Sequence, residues 1–256
     1  MSENIQVERE GHTGIVTINR PEKLNAMTPG MADALVEAVE AFNRDDQVRC
    51  VILTGAGERA FCAGSDIGTL DDYDTAWNFR NRPDYCEAIR ALLKPSIAAV
   101  NGYAFGGGLE TAMACDIRIA ADNASFAAPE IKLGWIGGGG MAAGLAHAVG
   151  PSNAALMIMT GDPIDAATAE RWGLVSRIVP QAELLAEAKK LAAIIASRAP
   201  IAAETAKLNL KAAWDMTIRD AITYEKDLQT ICFATEDAME GRRAFKEKRP
   251  PAFRRR

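Results

Sequence analysis

The segment KPSIAAVNGYAFGGGLETAMACD, residues 94–116, constrains this chain more than any other. A short apolar strand at 97–100 ends in an Asn101-Gly102 turn, and Gly106, Gly107 and Gly108 then lead into a helical run. That order puts free backbone N–H groups at a helix N-terminus, where the aligned peptide dipoles favour an anion. Glu110 falls one turn into the same helix, beside whatever those groups hold. A second carboxylate, Glu130, follows Pro129, which stiffens its approach. Two positioned carboxylates next to a backbone anion site suit proton transfer on a polarised carbonyl.

Strand and helix signals alternate around this segment. Strands are expected at 5–10, 14–19, 48–54, 60–63, 116–120 and 124–126, where β-branched and small apolar residues lie between turn residues. Thr28 caps a helix with Pro29 in its first turn, and Met31, Ala34, Leu35, Ala38, Val39 and Phe42 give it one buried face. Another helix is expected at 83–93, while residues 70–82 read as a mobile loop or lid with Trp77 and Phe79 placed to cover a ligand. The alternation predicts an α/β fold. After Gly161 the pattern turns helical, at 182–197, 201–214 and 218–234, interrupted at Pro200. The shift at Ala199-Pro200 predicts a core of residues 1–199 that carries the site, and a helical region of residues 200–256.

Hydrophobic residues make up 48% of the 256, enough for a sizeable core. A net charge of −5 argues against general nucleic-acid binding, although basic residues gather in GRRAFKEKRPPAFRRR at 241–256. That tail suits either a solvated surface or an anion site. No apolar run is long enough to span a bilayer, and MSENIQVERE lacks the apolar centre of a signal peptide. Cys50, Cys62, Cys86, Cys115 and Cys232 contain no C-x-x-C pair and read as reduced, mostly buried thiols of a cytoplasmic protein. Only His12 and His147 are present, which disfavours a histidine metal site or a Ser–His–Asp hydrolase. The general base is therefore expected to be a carboxylate, and no metal is expected.

Two further motifs matter in combination. AFCAGSDI, residues 60–67, ends a strand so that the Ser65 N–H is left to point away from the sheet, and PEIKLG at 129–134 carries Glu130. GGGLE at 106–110 matches neither the dinucleotide fingerprint nor a P-loop. Together with NRPEKLNAM at 19–27, TGDPIDAATAERWGLVSRIVP at 160–180 and the terminal AFKEKRPPAF, these motifs make the chain resemble the enoyl-CoA hydratase/isomerase (crotonase) superfamily over nearly its whole length.

The resemblance implies a spiral of β-β-α turns, C-terminal helices that trimerise, and an acyl-CoA thioester as ligand. It implies that the backbone N–H groups of Ser65 and Gly107 form the oxyanion hole and that Glu110 and Glu130 are the catalytic pair. It further implies CoA or substrate contacts from Lys23, Ala26, Ala63, Ser65, Asp66, Ile67, Gly68 and Gly107. Phe245 and Lys248 match an arm that reaches a neighbouring subunit's CoA. Coenzyme A belongs to the substrate, so no separate cofactor is implied. The assembly implied is a homotrimer or a dimer of trimers. Within the pair, one glutamate is expected to have a raised pKa, because two carboxylates share a small site.

The chain departs from the family after Gly134. Many hydratases carry Ile-Pro and then a Gly-Gly-Thr/Ser-Gln-Arg segment, whereas here Trp135-Ile136 precedes Gly137, Gly138, Gly139, Gly140 and Met141. Trp135 either lines the acyl pocket or packs in the core at the start of the next helix. Gly68 stands where a basic residue is often found. The leading expectation is an enoyl-CoA hydratase, or the reverse dehydratase. A Δ3,Δ2-enoyl-CoA isomerase, a carnitinyl-CoA-type dehydratase and a non-catalytic acyl-CoA or RNA binder are the alternatives.

Overall fold

The computed structural model describes residues 4–256, so the first three residues of the expected 1–199 core lie outside the described residues. Among the described residues ten strands form two sheets. The larger has six strands, β1 (Ile5–Glu10), β2 (Thr13–Ile18), β3 (Cys50–Gly55), β5 (Ser96–Val100), β7 (Ile117–Ala121) and β10 (Arg177–Val179), neighbours in that order. The smaller holds β4 (Ala60–Cys62), β6 (Tyr103–Phe105), β8 (Ser125–Ala127) and β9 (Ile164–Asp165). Only the β1–β2 and β8–β9 pairs are antiparallel.

Chain order explains this arrangement. β3, β5 and β7 enter the large sheet, and each is followed at once by β4, β6 or β8 in the small one. Helices close the turns: α1 (Pro29–Arg44) before β3, then α2 (Ala76–Arg80) and α3 (Tyr85–Arg90) after β4, and α4 (Gly107–Ala114) after β6. After β8 come α5 (Met141–Val149) and α6 (Pro151–Thr160). Three β-β-α turns therefore stack as a spiral whose parallel neighbours are successive turns, an arrangement suited to strands buried on both faces.

Period-two alternation divides the core. Val51 and Leu53 of β3, Ala98 and Val100 of β5 and Ala120 of β7 face the interior of the spiral, with Met31, Leu35 and Phe42 of α1. Cys50, Ile52, Ile97, Ala99 and Ile119 face the other way, onto Leu184, Ala188 and Ala192 of α8 (Leu184–Ala196). Helix α7 (Ala166–Trp172) lies between β9 and β10. The last three helices are α9 (Pro200–Asp215), α10 (Ile218–Phe233) and α11 (Glu236–Glu247). Helix α9 is fastened by buried ion pairs: the fully buried Lys94 Nζ donates to Glu204 at 3.0 Å, and Lys207 Nζ lies 2.9 Å from Asp116.

Several sequence expectations need correction. Residues 70–82 are not a plain loop, because a 3-10 turn runs from Ile67 to Asp72 and Thr75 caps α2 through the Asn78 N–H. Trp77 is 70% exposed there, with the Arg80 guanidinium over its ring. The strand β6 intervenes between the Asn101-Gly102 turn and the glycine run. The elements α6, α7, β9, β10 and α11 lie outside the strands and helices expected from the sequence. In the basic tail Arg243 and Arg249 pair with Glu240, Arg255 pairs with Glu204 and Asp46, and Asp237 accepts from the Arg254 and Arg255 N–H groups, while Arg242, Lys246 and Lys248 stay exposed. No helix among the described residues is long and apolar enough to cross a membrane.

Candidate active site

The site begins with an Asn-anchored loop. Leu24 and Asn25 adopt left-handed backbone (φ 52° and 58°), and the buried Asn25 Nδ2 donates to the carbonyls of Ala60 (2.7 Å) and Ala56 (3.0 Å). The loop then zips along the end of β4. Ala63 N–H donates to Leu24 O (3.0 Å), Met27 N–H to Gly64 O (2.8 Å) and Asp66 N–H to Met27 O (2.8 Å). This is a parallel bridge between Met27 and Ser65, in which the residues flanking Ser65 make the bonds. The Ser65 N–H therefore points to the opposite side and has no acceptor among the described residues.

On that opposite side lies the start of α4. Gly64 (φ 95°) approaches so closely that a Cβ there would sit 3.1 Å from the Gly107 nitrogen. Gly107 is the first residue of α4, so its N–H cannot be used within the helix. The two expected oxyanion donors are thus brought side by side. Lys23, Ala26, Ala63 and Asp66 line the same zipped loop, with Asp66 held 2.6 Å from Arg20 Nη1 and its carboxyl kept below the usual range by that hydrogen bond. Ile67 and Gly68 follow on its exposed face.

Both glutamates flank this point. Glu110 lies in the first turn of α4 and is buried, with Oε1 accepting from Gly139 N–H (2.7 Å) and Met141 N–H (3.0 Å). Burial pushes its pKa up. The Gly139 bond opposes that shift, and the charge of Glu130 adds to it. Glu130 sits in a 3-10 turn, Pro129–Leu133, and burial also raises its pKa. Its Oε2 is buried with no hydrogen-bond partner among the described residues. Both carboxyls are therefore raised, where the sequence suggested one. Gly106 (φ 54°) makes room for Glu130, since a Cβ there would stand 2.8 Å from Glu130 Oε1.

The glycine run after Trp135 now has a physical reason. A Cβ on Gly137 would lie 2.8 Å from Glu110 Oε1, and one on Gly139 would lie 2.7 Å from Oε2 and 3.0 Å from the Cys86 sulfur. Arg90 of α3 donates to the Gly139 carbonyl and pins the run in place. Trp135, 43% exposed beside the Glu130 turn, does not pack in the core at the start of a helix, because α5 begins only at Met141. Gly139→Ala is expected to lower kcat by about 10²-fold, comparable to a small misplacement of a catalytic group. CoA affinity should stay near native in a titration, because the added methyl meets only Glu110 and Cys86.

Sequence reasoning missed Tyr85 and Arg90. Tyr85, at the start of α3, is buried with its hydroxyl 3.0 Å from Ser65 Oγ, and a Cβ on Gly107 would overlap that hydroxyl. Only the Asp84 cap of α3 hinted that this helix begins where it does. Phe245 and Lys248 lie at the far end of α11, with Phe245 86% exposed and Lys248 the left-handed C-cap (φ 54°).

Comparison with known proteins decides the family. Residues 8–256 match enoyl-CoA hydratase/isomerase. This chain belongs to that family. It is 40% identical to the crotonyl-CoA hydratase of Syntrophomonas wolfei, with 98% of both chains covered. Identity to the short-chain-enoyl-CoA hydratase of Clostridium acetobutylicum is 39%, over 96% of this chain and 95% of that one. The crystal structure of the Bacillus anthracis enoyl-CoA hydratase superposes with a TM-score of 0.95 at 35% identity, covering 99% of this chain and all of the other.

Proposed function

We infer that this member of the enoyl-CoA hydratase/isomerase family adds water syn to a 2-enoyl-CoA thioester, or removes it in reverse. The observation that carries the reading is the asymmetry of two buried carboxyls within electrostatic reach of one another. Glu110 is held by two N–H donors, while Glu130 has a buried oxygen with no partner. Donors to a carboxylate favour its ionised form. Glu110 is therefore the base, and Glu130 the acid that starts protonated.

The thioester oxygen sits between the Ser65 and Gly107 N–H groups at the N-terminus of α4, which stabilise the charge that develops there. Water held between the glutamates gives a proton to Glu110 as its oxygen bonds to C3. The π electrons move to the thioester as an enolate, and Glu130 delivers its proton to C2 as the enolate collapses. Exchange with solvent returns Glu110 to the carboxylate and Glu130 to the acid. Coenzyme A is carried in by the substrate, along residues 63–68 with Lys23 and Ala26, and no separate cofactor takes part. Trp135, at the Glu130 turn, borders the acyl group.

Assembly completes the reading. Leu210, Trp214, Ile218, Ile222, Ile231 and Phe233 are each more than half exposed, a larger apolar surface than monomers usually show. Residues 200–256 thus form an oligomerisation region beside the 1–199 core, building a trimer or a dimer of trimers in which Phe245 and Lys248 reach a neighbour's CoA. Light scattering is expected to give a multiple of three chains, and an active monomer would refute the assembly. For the reaction, loss of enoyl-thioester absorbance across enoyl-CoAs of graded length is the test. Turnover of at least one chain length is expected, and none at any length would refute the hydratase.

A further inference from the structure

The buried Tyr85 hydroxyl has no place in the two-glutamate reaction, yet it stands at its centre. Asp84 caps α3, accepting from Cys86 N–H at 2.8 Å, and so fixes Tyr85 at the first position of the helix. The phenol then points across the spiral to Ser65 Oγ at 3.0 Å. It also lies against the Cα of Gly107, because any Cβ built there would overlap the hydroxyl. One buried hydroxyl therefore touches both residues whose N–H groups form the proposed oxyanion hole.

Donor counting sharpens the point. Ser65 and Tyr85 together own two hydroxyl hydrogens, and their mutual bond uses one. The other has no acceptor among the described residues. When Ser65 donates within the pair, the hydrogen left over is that of the buried phenol, and a buried donor is rarely left unmatched, so it points to a ligand acceptor. Burial pushes the phenol's pKa well up, with the neighbouring Cys62, Cys86 and Glu110 adding to the rise, so it remains a neutral donor. The nearest acceptor that the reaction supplies is the thioester oxygen between Ser65 and Gly107.

Resting on the hydratase reading, we propose that the Tyr85–Ser65 hydroxyl pair is a third hydrogen-bond donor to the thioester oxygen, with Tyr85 its source. Charge on that oxygen grows as the enolate forms, so the contact strengthens towards the transition state and acts on kcat more than on KM.

The test pairs kinetics with the infrared carbonyl stretch of a bound saturated four-carbon acyl-CoA, carbon-13 labelled at the thioester. The native protein is expected to shift the stretch to lower frequency. Tyr85→Phe, which removes only an oxygen, should lose a measurable part of that shift. Its kcat should fall by about 10²-fold, the lower range for an oxyanion donor, with KM within a few-fold of native. Ser65→Ala keeps the backbone N–H and the phenol, and should retain more of the shift than Tyr85→Phe. A native shift and native kcat in Tyr85→Phe with only a lower Tm would overturn the proposal and leave the phenol a fastener of Ser65. A larger loss in Ser65→Ala than in Tyr85→Phe would also overturn it. If the native protein gave neither a shift nor turnover, the hydratase reading itself would fall, a result distinct from either variant outcome.

Discussion

Glu110→Gln and Glu130→Gln are each expected to lower kcat by about 10²–10⁴-fold, the usual contribution of a positioned acid or base. Acyl-CoA affinity should change little, because the loop at residues 63–68 does not depend on either side chain. The two variants should differ in stability. A carboxyl whose pKa is raised in the folded protein binds its proton more tightly there than in the unfolded chain. Its ionisation therefore destabilises the fold, by an amount that builds up as pH rises from the ordinary carboxylate range through the raised value. Glutamine removes that penalty. Glu130→Gln should thus raise Tm at neutral pH, by about 2–4 °C for each kcal/mol recovered, and the gain should vanish in acid. Glu110→Gln should gain less, because Gly139 and Met141 already stabilise its charge. Thermal melts at pH 4 and pH 8 check the sign, and a Glu130→Gln variant that melts lower at pH 8 would contradict it.

The same shifts set the pH profile. On the proposed mechanism activity needs Glu110 ionised and Glu130 protonated, so kcat/KM should be bell-shaped, with both limbs displaced upward from ordinary carboxylates. The limbs belong to the pair rather than to either residue, since each charge acts on the other.

Gly107→Ala is the second large effect. The methyl would overlap the Tyr85 hydroxyl, which is buried and cannot simply swing into solvent. The start of α4 or the phenol must move, and the oxyanion hole opens. A loss of about 10²–10³-fold in kcat is expected, the cost of one misaligned donor, along with a lower Tm from the overpacking. Adding Tyr85→Phe removes the oxygen that the methyl overlaps and leaves the ring carbon Cζ, 3.0 Å away, as the tightest contact. The double variant should therefore recover Tm without recovering kcat. Recovery of neither would mean that Gly107 is needed for a reason other than this overlap.

How much of this was legible in the sequence follows the range of the forces involved. The alternation of Val51 and Leu53 against Cys50 and Ile52, and the spacing of Met31 to Phe42, are local and visible in the chain. So was the Glu110 position, set by one turn of helix beyond Gly107. The tetraglycine run was visible too, but its cause was not. Gly137 and Gly139 are small because Glu110 arrives from α4, nearly thirty residues away in sequence. Tyr85 read as an ordinary residue of the helix expected at 83–93, because its meaning depends on Ser65 and Gly107 meeting in space. The partners of the tail were hidden for the same reason. Arg243 and Arg249 meet the nearby Glu240, but Arg255 meets Glu204 and Asp46, which are distant in sequence.

On the proposed reading Glu110 and Glu130 together add water, rather than one of them merely moving a proton along the acyl chain. Mass spectrometry after incubation of a four-carbon 2-enoyl-CoA in oxygen-18 water tests it most directly. The account predicts a 3-hydroxyacyl-CoA carrying one oxygen-18 at C3, formed by the native protein and lost in both glutamine variants. A product without oxygen-18, with only the double bond moved from C2=C3 to C3=C4, would contradict it.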